Sequence, residues 1–398
     1  MREKILILND WFAPGYKAGG PIQSCVNFAY LMRDTYDIYV FTSDRDLNEK
    51  HPYPGIKTNE WIAYDDHIFL YYCSPENQKT ATLRHAIAAL APGYLYLNSM
   101  FTTYFTVLPL VLNRLKPLPL KIILAPRGML RSSALQFKGF KKQVFLRLSK
   151  WFGLMRDITF HATEPDERRD IMTYFPKNRA VEVVNNAPST RIPPFRTADK
   201  KANELKILYV GRIHPIKNLL FLLKVLAEVS PTLSSSLTII GQVEDIAYWG
   251  ECQAVSADLP AHISVQHLGS MPNSAIGTQI QDHHFSAQPT FGENFGHSIF
   301  ESFLNGRPVL VSDQTPWRGL EASKIGWDIP LSDVKAWKEK IEYAASLPQA
   351  EFDEWCRAAQ QFAQDYIRHS DLKIKYEHLF SNPQPVPDLT TRAGLEYE

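Results

Sequence analysis

The sequence predicts an α/β protein of two successive units, each built from strands alternating with helices. Three features carry that expectation. Short apolar runs, of which Lys4-Ile5-Leu6-Ile7-Leu8 is the first, recur ahead of Gly-containing loops and helix-spaced segments. The alternation lapses in a polar, Pro-rich stretch at 187–203 and restarts at Leu205. A chain of 398 residues also suffices for two full cores.

Composition narrows the function. A net charge of +1 argues against a dedicated nucleic-acid binder. Cys25, Cys73, Cys252 and Cys356 are scattered, with no Cys-x-x-Cys pair, as free thiols of a reducing compartment are. The short apolar run before Asn9 reads as a strand rather than a signal peptide, and no apolar stretch is long enough to span a bilayer. The expectation is a cytoplasmic protein that meets a membrane only from its surface.

In the first half, the opening strand runs into a loop ending in Gly19-Gly20, and a helix is expected at 22–32. Strand, Gly-containing loop, helix opens nucleotide-binding α/β folds, and paired glycines let backbone approach a ligand closely. The spacing is not the dinucleotide fingerprint, so no NAD is expected; a plain surface loop is the alternative. A second strand at 36–41 leads to Asp44-Arg45-Asp46, which has the form of a metal-holding carboxylate pair. The stretch that follows, through Trp61, is turn-rich and receives no element. Strands are expected at 68–72, 94–98, 121–125 and 157–162, and a helix at 80–90. Ligands gather at the C-terminal ends of such strands. That makes Asn98, Arg127, His161 and Glu164 candidates for one side of a cleft, each also readable as a satisfied structural polar group.

Residues 137–156 follow helical spacing. Phe137, Phe140, Val144, Phe145, Leu148, Trp151, Phe152 and Met155 share one broad face, and Lys138, Lys142, Arg147, Lys150 and Arg156 lie mostly off it. A basic helix with aromatic residues can rest on an anionic membrane, or it can cover the sheet with a solvated back. Both readings stand.

In the second half, a strand at 205–210 precedes a loop, Gly211 to Asn218, that carries Arg212 and Lys217. An Arg fork and a Lys point charge together suit a pair of phosphates, with a solvated basic loop as the alternative. Strands at 237–241 and 263–269 follow. Then comes Phe291-Gly292-Glu293-Asn294-Phe295-Gly296-His297-Ser298-Ile299-Phe300-Glu301, read as a loop entering a helix that stops at Asn305-Gly306 before a buried strand at 307–312. A helix N-terminus suits an anion, and Glu293 and Glu301 can face one ligand from loop and helix. Ser298 and Glu301 also have capping-box spacing, which would make Glu301 structural. Residues 331–380 are mainly helical in pattern, and the tail after Asn382 is polar, Pro-rich and expected to be disordered.

Gly211-Arg212 with Lys217-Asn218, and Glu293 followed after seven residues by Glu301, resemble the retaining glycosyltransferases of family 4. The resemblance covers most of the chain. Arg127-Gly128, Phe160-His161-Ala162-Thr163, Gly292 through His297 and Ser312 through Trp317 are similar to the branch that builds bacterial surface polysaccharides, capsule and lipopolysaccharide among them. The resemblance implies the GT-B fold, with two Rossmann-like domains facing across a cleft: 1–190 for the acceptor, 200–365 for the nucleotide sugar, 366–382 as a helix returning to the first domain, and 383–398 as a flexible tail. It implies metal-independent, retaining transfer of a hexose from a nucleotide-diphosphate sugar to a glycan or lipid-linked saccharide, with no cofactor. Residue by residue, it implies that Arg212 and Lys217 bind the diphosphate and that Glu293 is the catalytic carboxylate beside the donor sugar. The backbone of Asn294, Phe295 and Gly296 would surround hydroxyls and phosphates, Glu301 would hold the ribose, and Gly20 would approach from the other domain. Cationic side chains and helix N–H groups would then replace a metal, making Asp44-Arg45-Asp46 a coincidence. The sequence departs from the family at Arg127, where many relatives carry His, and at Phe285-Ser286-Ala287-Gln288-Pro289-Thr290, which is more polar than the usual strand. Competing readings are a metal-dependent transferase using Asp44 and Asp46, a non-catalytic nucleotide-sugar or glycan binder, and a phosphorylase-like or epimerase relative.

Overall fold

The computed structural model describes residues 2–131, 135, 139–178 and 180–381. The first half forms a sheet in the order β3-β4-β2-β1-β5-β6-β7-β8. Its strands are β1 Lys4–Leu8, β2 Asp37–Ser43, β3 Trp61–Asp65, β4 Ile68–Cys73, β5 Tyr94–Leu97, β6 Lys121–Leu124, β7 Thr159–Ala162 and β8 Val181–Val183. Every pairing is parallel except β3 with β4. The continuous apolar reading of β1 has a direct cause, because helices cover both of its faces. Ile5 and Ile7 pack with Phe28 on one side; Leu6 and Leu8 pack with Phe41, Leu95 and Leu97 on the other.

The second half forms a fully parallel sheet in the order β11-β10-β9-β12-β13-β14. Its strands are β9 Glu204–Val210, β10 Ser234–Ile240, β11 Ile263–His267, β12 Phe285–Gln288, β13 Val309–Ser312 and β14 Gly326–Ile329. In each sheet the order reverses at one strand, β1 in the first and β9 in the second. Crevices open at the C-terminal ends of such switch points. The loop before Gly20 follows β1, the loop of Arg212 and Lys217 follows β9, and the loop of Glu293 follows the neighbouring β12.

Several sequence expectations change in detail. A strand the sequence did not suggest, β3, begins at Trp61 where the turn-rich stretch ends, and is joined to β4 by a tight turn in which His67 takes a positive φ of 60°. The polar strand β12 is wholly buried, and its Ser286 hydroxyl and Gln288 amide nitrogen have partners, while Gln288 Oε1 has none among the described residues. Ser302 Oγ donates to Ser286 Oγ at 2.7 Å, and Gln288 Nε2 donates to the Val210 carbonyl at 2.6 Å. The 137–156 helix is observed as Gly139–Trp151. Phe137 and Lys138 lie outside the described residues, as does the 383–398 tail.

The Pro-rich stretch forms no helix or strand, yet its second half is fastened to the second unit. Arg307, fully buried, donates to the carbonyls of Arg196, Gly306, His283 and Gln281. Gln360 Nε2 holds Pro193 O at 3.0 Å. The long helix Gln349–His369 packs Tyr366 against Phe300, with ring centroids 5.2 Å apart, and ends at Ser370. The last helix, Leu372–Ser381, then crosses to the first unit, where Tyr376 and Phe380 meet Phe28 at 5.1 and 5.6 Å.

Candidate active site

Helix α1, Gly20–Met32, starts where Gly19 turns the chain with a φ of 66°, two residues earlier than the periodicity predicts. Opposite it stands His297–Leu304, the helix that carries Glu301. Its N-cap is Gly296, at a φ of 75°, where a side chain would stand 2.8 Å from Ile299. Gly296 offers no capping side chain, and Ser298 is already inside the first turn. The capping-box reading of Ser298 and Glu301 is therefore wrong. The glycine sets the bend, and the helix N-terminus is left uncapped toward the crevice.

Phe295 explains how the loop is held. Its ring is buried against Trp317, 5.3 Å away, and Trp317 Nε1 donates to its carbonyl at 2.6 Å. The side chain thus anchors the loop from behind. Two contacts tie the same loop to the β9 loop: Phe291 N and Thr290 Oγ1 both donate to the Ile216 carbonyl, at 2.8 and 3.1 Å. Lys217 is thereby brought onto Glu293, and Nζ and Oε1 form an ion pair in which both side chains are largely buried. Arg212 pairs instead with Glu244, which follows β10. Both proposed phosphate cations already have carboxylate partners, an arrangement the sequence does not reveal.

Glu301 faces the crevice and accepts from Asn273 Nδ2 at 3.2 Å. Burial raises its pKa to about 7, against the smaller opposing effect of the Asn273 bond. Asn273 also donates to Gln23 Oε1 of α1 at 3.1 Å, so this corner joins the two units. Gly20 lies under His297: a side chain there would meet the ring at 3.9 Å.

The first unit's candidates divide into two groups. Arg127, at a positive φ of 55°, donates through Nη2 to Asn98 Oδ1 at 2.6 Å and to Tyr96 Oη at 2.8 Å, and through Nη1 to Asn186. His161 is fully buried; its Nε2 donates to Val184 O at 2.7 Å, which leaves Nδ1 to accept from Tyr96 at 2.7 Å. Burial, helped by Arg127, pushes its pKa down to about 3. His161 is thus a buried support for Tyr96 and Arg127 and does not line the cleft, because its strand end is covered. Glu164 stays at the edge. It pairs with Arg131, and an added side chain at Gly292, beside Glu293, would stand 3.4 Å from Arg131 Nη1. Asn294 closes the gap: a Cβ on Gly128 would sit 2.8 Å from its Nδ2.

Asp44 and Asp46 are spent on structural bonds within their own loop and to the loop after β1. Asp46 accepts from the amides of Tyr16, Lys17 and Leu47 at 2.8, 3.1 and 2.8 Å, and Asp44 pairs with Arg45 at 2.8 Å. Among the described residues no group of three His, Cys, Asp or Glu is placed to hold a metal. Sequence reasoning missed Glu244, Asn273, Ser24 and Glu167. It also passed over Asp10, whose pKa burial raises to about 6. Asp10 had a signal, since it lies two residues past the strand at the switch point. Glu167 had none: it is buried and holds the amides of Gly128 and Thr163 at 2.5 and 2.7 Å.

This is a cleft with two cations and a helix N-terminus on one wall, carboxylates beside them, and a polar network opposite. Residues 194–362 match the family model for glycosyl transferases group 1. The glycosyl transferase match spans β9 through most of the helix Gln349–His369, the part that holds Arg212, Lys217, Glu293 and Glu301. No curated protein matches the chain. Among solved structures it is similar to HepE of Anabaena in complex with UDP and glucose, at 16% identity and a TM-score of 0.67, over 95% of this chain and 98% of that one. It is similar to sucrose-phosphate synthase from Thermosynechococcus elongatus at 15% identity and 0.66, over 95% and 98%. It is also similar to WaaG, a glycosyltransferase involved in lipopolysaccharide biosynthesis, at 13% identity and 0.61, over 95% and 100%. These likenesses fix the fold as GT-B, two Rossmann-like domains across a cleft with the last helix returning to the first domain.

Proposed function

We propose that the protein is a retaining glycosyltransferase that moves a hexose from a nucleotide-diphosphate sugar to a glycan or lipid-linked saccharide, without a metal, in surface-polysaccharide assembly. The observation that carries this is the Lys217–Glu293 ion pair beside the uncapped helix N-terminus, with Glu301 on the same helix. The diphosphate enters between Arg212, Lys217 and that N-terminus and exchanges carboxylate partners for phosphate on both cations. Lys217 then balances the charge that grows on the leaving phosphate, and Glu293, freed of its partner, faces the positive charge that grows on the sugar. Retention requires the accepting hydroxyl to enter on the face the diphosphate leaves. Glu301 and Asn273 hold the ribose. Asn98, Arg127 and Glu164 shape the acceptor side, with His161 behind them.

The similarity to glycosyltransferase structures supports this reading, and the UDP bound to HepE makes UDP-sugars the first donors to test. A thermal-shift panel of UDP-, GDP- and TDP-sugars in EDTA is the experiment. One donor at about one hundred times its dissociation constant should add roughly 2.7 kcal/mol of stability. Transfer to an acceptor must follow; a shift without transfer leaves only a binder, and no shift with any donor overturns the reading.

We place the enzyme on the inner face of the cytoplasmic membrane. No helix among the described residues is long and apolar enough to cross a bilayer. The helix Gly139–Trp151 covers the sheet with one face and leaves apolar residues on the other. Phe145 and Leu146 face the sheet, and Val144, Leu148 and Trp151 form an outward apolar stripe, continued by Phe152. That stripe, flanked by Arg147 and Lys150, supports contact with anionic lipid.

A further inference from the structure

A second cavity, of about 870 Å³, opens at the far end of the first sheet. Its lining includes Asp157 and Ile158, just before β7, and Asn178 and Ala180, just before β8. These are the N-terminal ends of parallel strands, so the cavity lies at the opposite end of the sheet from the cleft. Met155, Ile158 and Phe175 give it a buried apolar floor. Lys150, Arg156 and Lys177 give it a basic rim, and among the described lining residues Asp157 is the one acid. Lys150 Nζ stands 5.7 Å from the Tyr174 ring and 5.9 Å from that of Phe175, which holds the ammonium over the opening.

The walls are built. Asn178 Nδ2 donates to the carbonyls of Met155 and Ile158 at 3.0 and 3.1 Å. Arg114 Nε donates to Phe152 O at 3.0 Å and pins the turn that follows the helix. Beside the opening, Trp151 and Phe152 are 84% and 59% exposed, their rings stacked 6.0 Å apart. Two large rings exposed side by side, continuous with Val144 and Leu148, form an apolar patch of the kind that marks a docking surface. A basic opening, an apolar floor and exposed aromatic rings outside it together fit an amphiphile with an anionic head. A free phosphate compound would use the rim but leave Trp151 and Phe152 without a function.

We propose that this cavity is a binding site for the headgroup of an anionic phospholipid, with Trp151 and Phe152 seated at the headgroup boundary of the same bilayer. The proposal rests on the membrane contact proposed above and adds a discrete site to it. Docking and transfer then occupy opposite ends of the first sheet. The lipid taken here is a structural component of the membrane and not the sugar acceptor, which enters the cleft.

The test uses the full chain and two probes. The first is phosphatidylcholine vesicles with and without phosphatidylglycerol; the second is dihexanoyl phosphatidylglycerol below its micelle concentration, with inorganic phosphate as competitor. Arg156→Glu/Lys177→Glu changes the rim without touching the apolar stripe. It should lower affinity for the anionic vesicles by roughly tenfold or more and abolish one-site binding of the short lipid. Its melting temperature and its response to donor sugar should stay as in the parent, which excludes misfolding. Trp151→Ala should weaken vesicle binding. If the double variant keeps parental binding to both probes while Trp151→Ala loses the vesicles, the membrane contact stands and the headgroup site is wrong. If inorganic phosphate displaces the short lipid at equal concentration, the cavity is a free-phosphate site and the proposal falls. If the parent ignores anionic vesicles, the membrane reading and this site fall together, and the donor experiment is untouched.

Discussion

Ser24 Oγ and His297 Nε2 stand 2.9 Å apart, joining the first helix of one unit to the first turn of the helix that carries Glu301 in the other. Ser24 donates its own proton to Gly20 O at 2.9 Å, so its oxygen accepts from His297. Burial first, then Arg127 and Lys217, hold the His297 pKa down to about 3, so the ring is neutral at physiological pH. Together with the Asn273–Gln23 bond, it holds two walls of the cleft in register. Ser24→Ala should lose about 0.5–1.5 kcal/mol of that registration, roughly twofold to tenfold in kcat/KM for the donor. The ratio between variant and parent should be flat from pH 5 to 8; a ratio that titrates near pH 6.5 would mean that His297 is not held neutral.

The phosphate cations lead to a second expectation. Arg212→Ala and Lys217→Ala each remove a charge-assisted partner worth about 1.5–3 kcal/mol, or roughly ten- to a hundredfold in kcat/KM. Each also strands a carboxylate, Glu244 or Glu293. Donor kinetics and melting curves separate the two effects. Unchanged kinetics in both variants would remove the proposed clamp.

Glu293 and Glu301 should fail differently. Glu293→Gln is expected to lower kcat far more than it weakens donor binding, because its charge matters when the sugar turns cationic. Glu301→Gln should mainly raise the KM for the donor and weaken binding of the free nucleoside diphosphate. Full turnover by Glu293→Gln on a confirmed acceptor would falsify its assignment as the catalytic carboxylate.

Glu301 also predicts a pH dependence. Its pKa of about 7 lies above the unfolded value of 4.5, so the folded protein binds its proton more tightly. The resulting stabilisation is complete below pH 4.5 and is lost as pH rises through 7. Relative to Glu301→Gln, the parent should lose about 2 kcal/mol of stability between pH 4.5 and 8. Donor affinity should run the other way and rise through pH 7, as the carboxylate becomes the stronger acceptor for ribose hydroxyls. A parent and variant with parallel stability profiles would show that the carboxyl is not buried in solution.

Asp46 should prove structural. Asp46→Ala leaves three amides without their acceptor. It should cost about 1–3 kcal/mol of stability, with transfer by the parent unaffected by EDTA. Activity abolished by EDTA and restored by a divalent ion would revive the metal reading.

The sequence by itself determined the alternation, the restart at Leu205 and the loops that follow β1, β9 and β12. Apolar runs, glycines and loop charges are local properties, legible one segment at a time. Glu293, Glu301, Arg212 and Lys217 were found because their spacing along the chain is short and regular. Only the tertiary structure decided what those residues touch. Lys217 and Glu293 are 76 residues apart, and Ser24 and His297 are 273 apart. Pairing over such distances depends on strand order and loop anchoring, which no local pattern encodes. The same holds for His161, whose strand end reads as a cleft position until Tyr96, Arg127 and Val184 enclose it. The Ser298–Glu301 box failed for a local reason that only the backbone reveals: Gly296 turns left-handed, and the helix begins before Ser298 can cap it.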